Sequence, residues 1–356
     1  MTGTEAAVLE IDLAAVVANW RDLAARHQSG PVAGVVKADA YGLGARQIVP
    51  ALYEAGCRHF FVAHFAEALA IRPVIPGAML AVLNGVIAGT EPDYIAHDIT
   101  PVLGSLPAIA GWRVAHGGKA ILHVDTGMNR LGLDAADLAA LATDPTKLRG
   151  LDISYIMTHL VASEIPADPE NRRQHTRFAA ARALLPPAPS SFANSSGIFL
   201  GPDFASDLAR PGAALYGINP TPGRPNPMRD VVTLRARILQ IRDIPQGATV
   251  GYNGTWTAAR PSRIATLAVG YADGWPRGIS NRGHAFFDGR PVPLVGRVSM
   301  DLTTYDVTDF PAIQAGAWLE LMGPSLPPDA VADAAGTNGY EILTSLGARY
   351  ARVYRA

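Results

Sequence analysis

At 356 residues, 49% hydrophobic and 17% charged, the chain is too long for one small domain and too apolar to remain disordered. A formal net charge of −1 gives no electrostatic footprint for nucleic acid or an anionic membrane surface. The single cysteine, Cys57, makes no intrachain disulfide, the opening MTGTEAAVLEID lacks a basic-then-apolar leader pattern, and no stretch reads as an uninterrupted membrane span. The expectation is a soluble, cytoplasmic protein of two folding units.

A short strand is expected from about Ala7, with Asp12 as N-cap of the apolar-periodic run LAAVVANWRDLAARH. Eight β-like segments follow at wide spacing: PVAGVVK, HFFVAH, AMLAVLNG, ITPVLG, KAILHVD, ISYIMTH, PSSFANS and LARPGAALYG. Helical patterns such as FAEALAIR, AADLAALAT and RRQHTRFAAARALL lie between several of them. That alternation argues for parallel βα units, arranged as a (β/α)8 barrel or, with a similar pattern, as a doubly wound open sheet. Near TPGRPNPMRD proline and glycine cluster, and the texture turns to alternating, turn-punctuated segments with little helical period. The predicted architecture is an α/β chain, with a (β/α)8 barrel over 1–228 and a mostly-β domain over 229–356; the first few residues are candidates to join the β domain.

Only three of the 30 basic residues are lysines: Lys37, Lys119 and Lys147. Lys37 ends the apolar strand GVV, and side chains at barrel strand ends project into the active-site mouth. Apolar walls there destabilise an ammonium and expose a nucleophilic amine able to form a Schiff base. An ordinary surface lysine just past a strand would read the same way in isolation.

Lys37 is not isolated. VVKADAYGLGA resembles the pyridoxal-phosphate attachment signature of the alanine racemase family, with Lys37 in the position of the cofactor lysine. HVDTGMNRLG, MTHL, ANSSG, RPGAALYG, VGYNGTW, VGYADGWPR, GRVSMD and GYEIL resemble further blocks of that family, in the same order along the chain. The resemblance implies a pyridoxal 5′-phosphate isomerase that interconverts L-alanine and D-alanine, supplying D-alanine for peptidoglycan or L-alanine for catabolism. It also implies a barrel followed by a β domain, and a head-to-tail homodimer. A broader amino-acid racemase and a non-catalytic pyridoxal-phosphate carrier are the alternative readings. No metal site, nucleic-acid partner or membrane partner is expected.

Loops after the last two barrel strands often converge N–H groups and a hydroxyl on an anion. Asn194 and Ser195, with Gly212 and Ala213, are therefore assigned to cofactor binding, with Ser195, Gly212 and Ala213 on the phosphate. Tyr41 and Tyr340 join them by resemblance. Arg210 is expected to face the pyridine nitrogen, where a group that stays charged donates a hydrogen bond but does not protonate the ring. The family implies that His159 hydrogen-bonds and orients Arg210. Racemisation needs a base on each face of the substrate, and the resemblance supplies Lys37 and Tyr252. A phenol serves as a base at neutral pH only beside positive charge that favours its phenolate. Arg130 is expected to fork the substrate carboxylate, with the Met300 backbone assisting and Tyr271 lining the gate. Asp273 and Asp301 are expected to support these residues rather than react. Many relatives carry a carbamylated lysine two residues before the DTG turn; His123 stands there in this chain, so Arg130 must be positioned otherwise.

Overall fold

The computed structural model describes residues 5–356. Met1–Thr4, at the head of the segment screened for a leader, lie outside the described residues. Strand β1 (Ala7–Asp12) runs straight into the helix Leu13–Arg26, whose N-cap is Asp12: its side chain accepts from the Ala15 N–H at 2.7 Å.

Seven parallel strands then form one sheet in chain order: β2 (Gly34–Val35), β3 (His59–Val62), β4 (Met79–Val82), β5 (Thr100–Leu103), β6 (Lys119–His123), β7 (Asp152–Met157) and β8 (Ser190–Ser191). The eighth β-like segment closes the ring as an extended piece bridging both edges. Leu208 pairs with Ser191, and Ala209 pairs with Val32. The barrel reading therefore holds over the open sheet. Val35, Phe61, Val102, Ile121, Met157 and Leu208 meet inside, where branched and aromatic side chains fill the lumen.

The second sheet is organised by β9 (Val232–Ile244), whose 13 residues pair antiparallel with three neighbours. After it come the small ribbon β10 (Thr249–Val250) and β11 (Trp256–Thr257), then β12 (Ser262–Leu267), β13 (His284–Phe287), β14 (Arg290–Pro293), β15 (Thr303–Asp306), β16 (Trp318–Met322) and β17 (Ala351–Arg355). Strand β1 lies in this sheet, antiparallel to β9 and parallel to β17, so the two ends of the chain are side by side. Its buried Leu9 and Ile11 explain the placement, because they complete the inner face.

Two short helices, Pro328–Ala335 and Gly339–Ser345, interrupt the β texture before β17. At eight and seven residues they are too short to print a helical period on the sequence. The second of them reaches the barrel mouth. A Cβ on Gly42 would stand 2.4 Å from the Leu343 carbonyl oxygen. Among the described residues no helix is long and apolar enough to cross a membrane, and no group of three or more His, Cys, Asp or Glu side chains is placed to hold a metal ion.

Candidate active site

Lys37 stands just past β2 and opens an unusual turn. Ala38, Asp39, Ala40 and Tyr41 all have positive φ, from 52° to 57°. Left-handed backbone costs an L-residue about 1–2 kcal/mol each, so such a run persists only where its surroundings over-determine it. Here they do. The Ala38 N–H donates to Glu67 Oε1 at 2.5 Å, the Ala45 N–H to Asp39 Oδ1 at 2.7 Å, and Arg352 to the Gly42 carbonyl at 2.5 Å.

The Lys37 amine is held below the usual lysine range, first by burial and then by the positive charge of Arg130, with Glu67 acting in the opposite sense. Arg210 lies across the same mouth and is 5% exposed. It donates to the Thr158 carbonyl at 2.6 Å and to Ser191 Oγ, and no carboxylate pairs with it among the described residues. Burial pulls its guanidinium down to about 10, which leaves it charged at neutral pH. His159 is pushed down to about 3 and His123 to about 4, each by burial first and by Arg210 second. Both imidazoles are therefore neutral. The expected hydrogen bond between Arg210 and His159 is not formed; the guanidinium donates instead to Thr158 and Ser191.

Beside Arg210, Ser195 Oγ accepts from the Gly212 N–H at 3.0 Å and the Ala214 N–H at 3.2 Å. Gly212 leads into the single helical turn Ala213–Tyr216, and a Cβ on it would lie 2.2 Å from the Tyr41 hydroxyl. Tyr41 packs on the buried Tyr216 ring, centroids 4.8 Å apart, and burial raises its phenol to about 12. Tyr340 joins this corner from the helix Gly339–Ser345. Its hydroxyl donates to Glu164, and burial together with that carboxylate raises its pKa. Asn194 serves the loop itself, its Oδ1 accepting from the Gly197 N–H at 2.8 Å and Ser163 Oγ at 2.9 Å.

Arg130 follows an Asx turn in which Asp125 Oδ1 accepts from the N–H groups of Gly127, Met128 and Asn129. Its own side chain is exposed and has no hydrogen bond or ion pair among the described residues. Lys37, Arg130, His123, His159 and Arg210 thus form one electrostatic group at the barrel mouth.

The remaining residues assigned from the sequence lie elsewhere. Tyr252, Tyr271 and Met300 sit on the C-terminal domain at 69%, 44% and 53% exposure, none bonded to the barrel-mouth group. The Tyr271 N–H donates to the Ser299 carbonyl and the Ala272 N–H to that of Met300, so turn and loop are tied together. Arg349 pins both, reaching Asp273 at 2.6 Å and Asp301 at 2.7 Å. Glu67, Gln174 and Arg349 did not stand out in the sequence. Glu67 had a local signal, three residues after His64 at a strand-to-helix junction, where a capping carboxylate belongs.

Two family models cover the chain: alanine racemase N-terminal domain over residues 11–220 and alanine racemase C-terminal domain over 231–354. The chain belongs to the alanine racemase family. An alanine racemase of Acidiphilium cryptum is 59% identical, with 98% of each chain covered, and one of Rhodospirillum rubrum is 51% identical, covering 98% of this chain and 96% of the relative. The crystal structure of the Bartonella henselae alanine racemase, which has covalently bound pyridoxal phosphate, superposes with a TM-score of 0.95 at 45% identity, covering 98% of this chain and 99% of that one. Alanine racemase family membership makes the chain an isomerase and agrees with the barrel and β-sheet architecture.

Proposed function

We propose that the chain interconverts L-alanine and D-alanine, with Lys37 on one face of the substrate Cα and Tyr252 of a second copy of the chain on the other. The observation that carries this reading is the meeting, at one barrel mouth, of an amine held below its usual range and a buried guanidinium that no carboxylate among the described residues neutralises. A base on one face alone would mostly return the proton to the side it came from, so inversion calls for two.

Pyridoxal 5′-phosphate fits the donors present. Lys37 would supply the amine that holds its aldehyde carbon. Ser195, whose Oγ gathers the Gly212 and Ala214 N–H groups, would form the phosphate cradle with Gly212 and Ala213, Tyr41 and Tyr340 standing beside it, and a Cβ at Gly212 would collide with the Tyr41 hydroxyl. Bound there, the group withdraws electrons from the substrate and acidifies its Cα proton. Arg210 would offer the ring nitrogen a donor without a transferable proton, a setting that favours return of the proton to Cα over transamination. Neutral His159 lies beside Arg210 without adding charge. Asn194 holds the loop that carries Ser195. Arg130 forks the substrate carboxylate, assisted by the Met300 backbone, and Tyr271 lines the approach.

The exposure of Tyr252, Tyr271 and Met300 on a domain that leaves them idle within one chain supports a head-to-tail homodimer. Among the described residues, the barrel over 13–228 holds the cofactor, and the β domain, 229–356 with β1, supplies the second base. The enzyme acts in the cytoplasm on free alanine, feeding peptidoglycan synthesis or alanine catabolism.

The test mixes two variants. Lys37→Ala and Tyr252→Phe should each be inactive, while hybrid dimers regain one intact site and the mixture recovers about a quarter of native activity on statistical pairing. Deuterium should enter Cα as alanine racemises. An inactive mixture of demonstrated hybrids, or racemisation surviving in Lys37→Ala, would refute the reading.

A further inference from the structure

We propose that Gln174 is a positioning residue for substrate binding: from outside the barrel it fixes the loop that carries Arg130 and ties that loop to the strand end that holds Arg210. This rests on Arg130 being the carboxylate fork. Arg130 makes no hydrogen bond or ion pair among the described residues, and His123, in the same electrostatic group, is neutral, so no described side chain holds the guanidinium. Its aim must come from the backbone that carries it.

Gln174 lies on the helix Pro169–Ala183 and is fully buried. Its Nε2 donates to Thr126 Oγ1 at 3.0 Å and to the His159 carbonyl at 2.9 Å, and its Oε1 accepts from the Val161 N–H at 2.9 Å. Thr126 belongs to the Asp125 turn that leads to Arg130, and its hydroxyl meets that of Thr158 at 2.8 Å. Thr158 is the residue whose carbonyl takes the Arg210 guanidinium. One amide thus bridges the turn before Arg130 to the segment 158–161 that carries both His159 and the Arg210 anchor. Arg177, one turn further along the same helix, donates to the Thr126 carbonyl at 2.8 Å and is itself held by Glu170. A Cβ on Gly127 would stand 2.8 Å from Arg177, so the turn is packed against this helix as well as bonded to it. A buried amide with both N–H groups and its carbonyl partnered rigidifies what it joins, and breaking one side leaves unpaired polar groups. A lone hydrophobic-face glutamine would be idle packing; three bonds to two active-site segments make it a brace.

The experiment uses the cofactor-loaded dimer and two variants, Gln174→Met and Thr126→Val, both close in shape to the native side chains. Steady-state kinetics with alanine, inhibition by propionate as a bare carboxylate, and hydrogen exchange at the Gly127–Asn129 amides are measured together. The expected result is a KM and a propionate Ki raised together by about ten-fold, the scale of one or two lost hydrogen bonds, with kcat changed far less and faster exchange in that turn. Thr126→Val carries the test if Gln174→Met does not fold. KM and Ki unchanged in the folded variants, or a loss confined to kcat, would overturn the proposal. Arg130→Met is the control. If it leaves the propionate Ki unchanged, the carboxylate assignment fails and the role of Gln174 falls with it. If it raises Ki while the other two variants do not, only the role of Gln174 fails.

Discussion

The Arg210 guanidinium donates to the main-chain carbonyl of Thr158 at 2.6 Å, so its orientation is set by a strand end and not by an acidic side chain. A peptide carbonyl fixes direction without cancelling charge, and the guanidinium keeps its full field for whatever faces it. Replacing it by Arg210→Glu would place a carboxylate opposite the ring nitrogen. Racemisation should fall at least about hundred-fold, the scale of removing a preorganised charge contact, and pyruvate from transamination should rise relative to it. Product analysis by chiral chromatography and a pyruvate assay measures both.

Glu67 holds three N–H groups at once: Ala38 at 2.5 Å, Ala63 at 2.8 Å and His64 at 2.9 Å. It is also the carboxylate that raises Lys37 against the lowering by burial and by Arg130. Glu67→Gln removes the charge and disturbs the cap. The Lys37 pKa should fall further, moving the limb of the kcat/KM profile that reports its deprotonation to lower pH, and thermal stability should drop by about 1 kcal/mol. A pH profile unmoved beside a lowered Tm would show that Glu67 only caps the helix Phe65–Ile71.

His123 and His159 stay neutral in the fold, lowered to about 4 and about 3 from the ordinary value of 6.5. Unfolded, each binds a proton below about 6.5. Since the unfolded chain then holds more protons, stability is full above pH 6.5 and is lost as pH falls from there toward 4 and 3, with a slope approaching about 1.4 kcal/mol per unit for each histidine. Denaturant titrations of the cofactor-free protein at pH 7 and 5 should show this decline, and His123→Gln should flatten it.

Gly212 leaves no space for a side chain, with the Tyr41 hydroxyl 2.2 Å from where a Cβ would stand. Tyr41 is backed by Tyr216 and has little room to retreat. Gly212→Ala should therefore cost about 1–3 kcal/mol and hasten loss of pyridoxal phosphate on dialysis, followed by absorbance. Gly77→Ala, at a turn with open space around it but positive φ, separates backbone strain from crowding, since it should lower Tm without loosening the cofactor.

All eight barrel staves, the Asp12 cap and the position of Lys37 were legible in the sequence, because each rests on a local signal: apolar runs, a capping side chain, a strand end. The two short helices before β17 were not, being too brief for a period, and so the approach of Tyr340 to the corner of Tyr41 and Gly212 rested on resemblance alone. The pairing of β1 with β17 was equally hidden, since partners at opposite ends of the chain leave no mark in either segment. Residue type and order therefore determined the architecture and the family, and singled out the Lys37 amine at a strand end. Tertiary structure alone decided that Arg210 donates to Thr158 rather than His159, that Glu67 and Gln174 bond to the loops that carry Lys37 and Arg130, and that Tyr252 is exposed. Those are matters of burial and of hydrogen bonds between distant segments, and burial is a property of the packed whole and not of any stretch of chain.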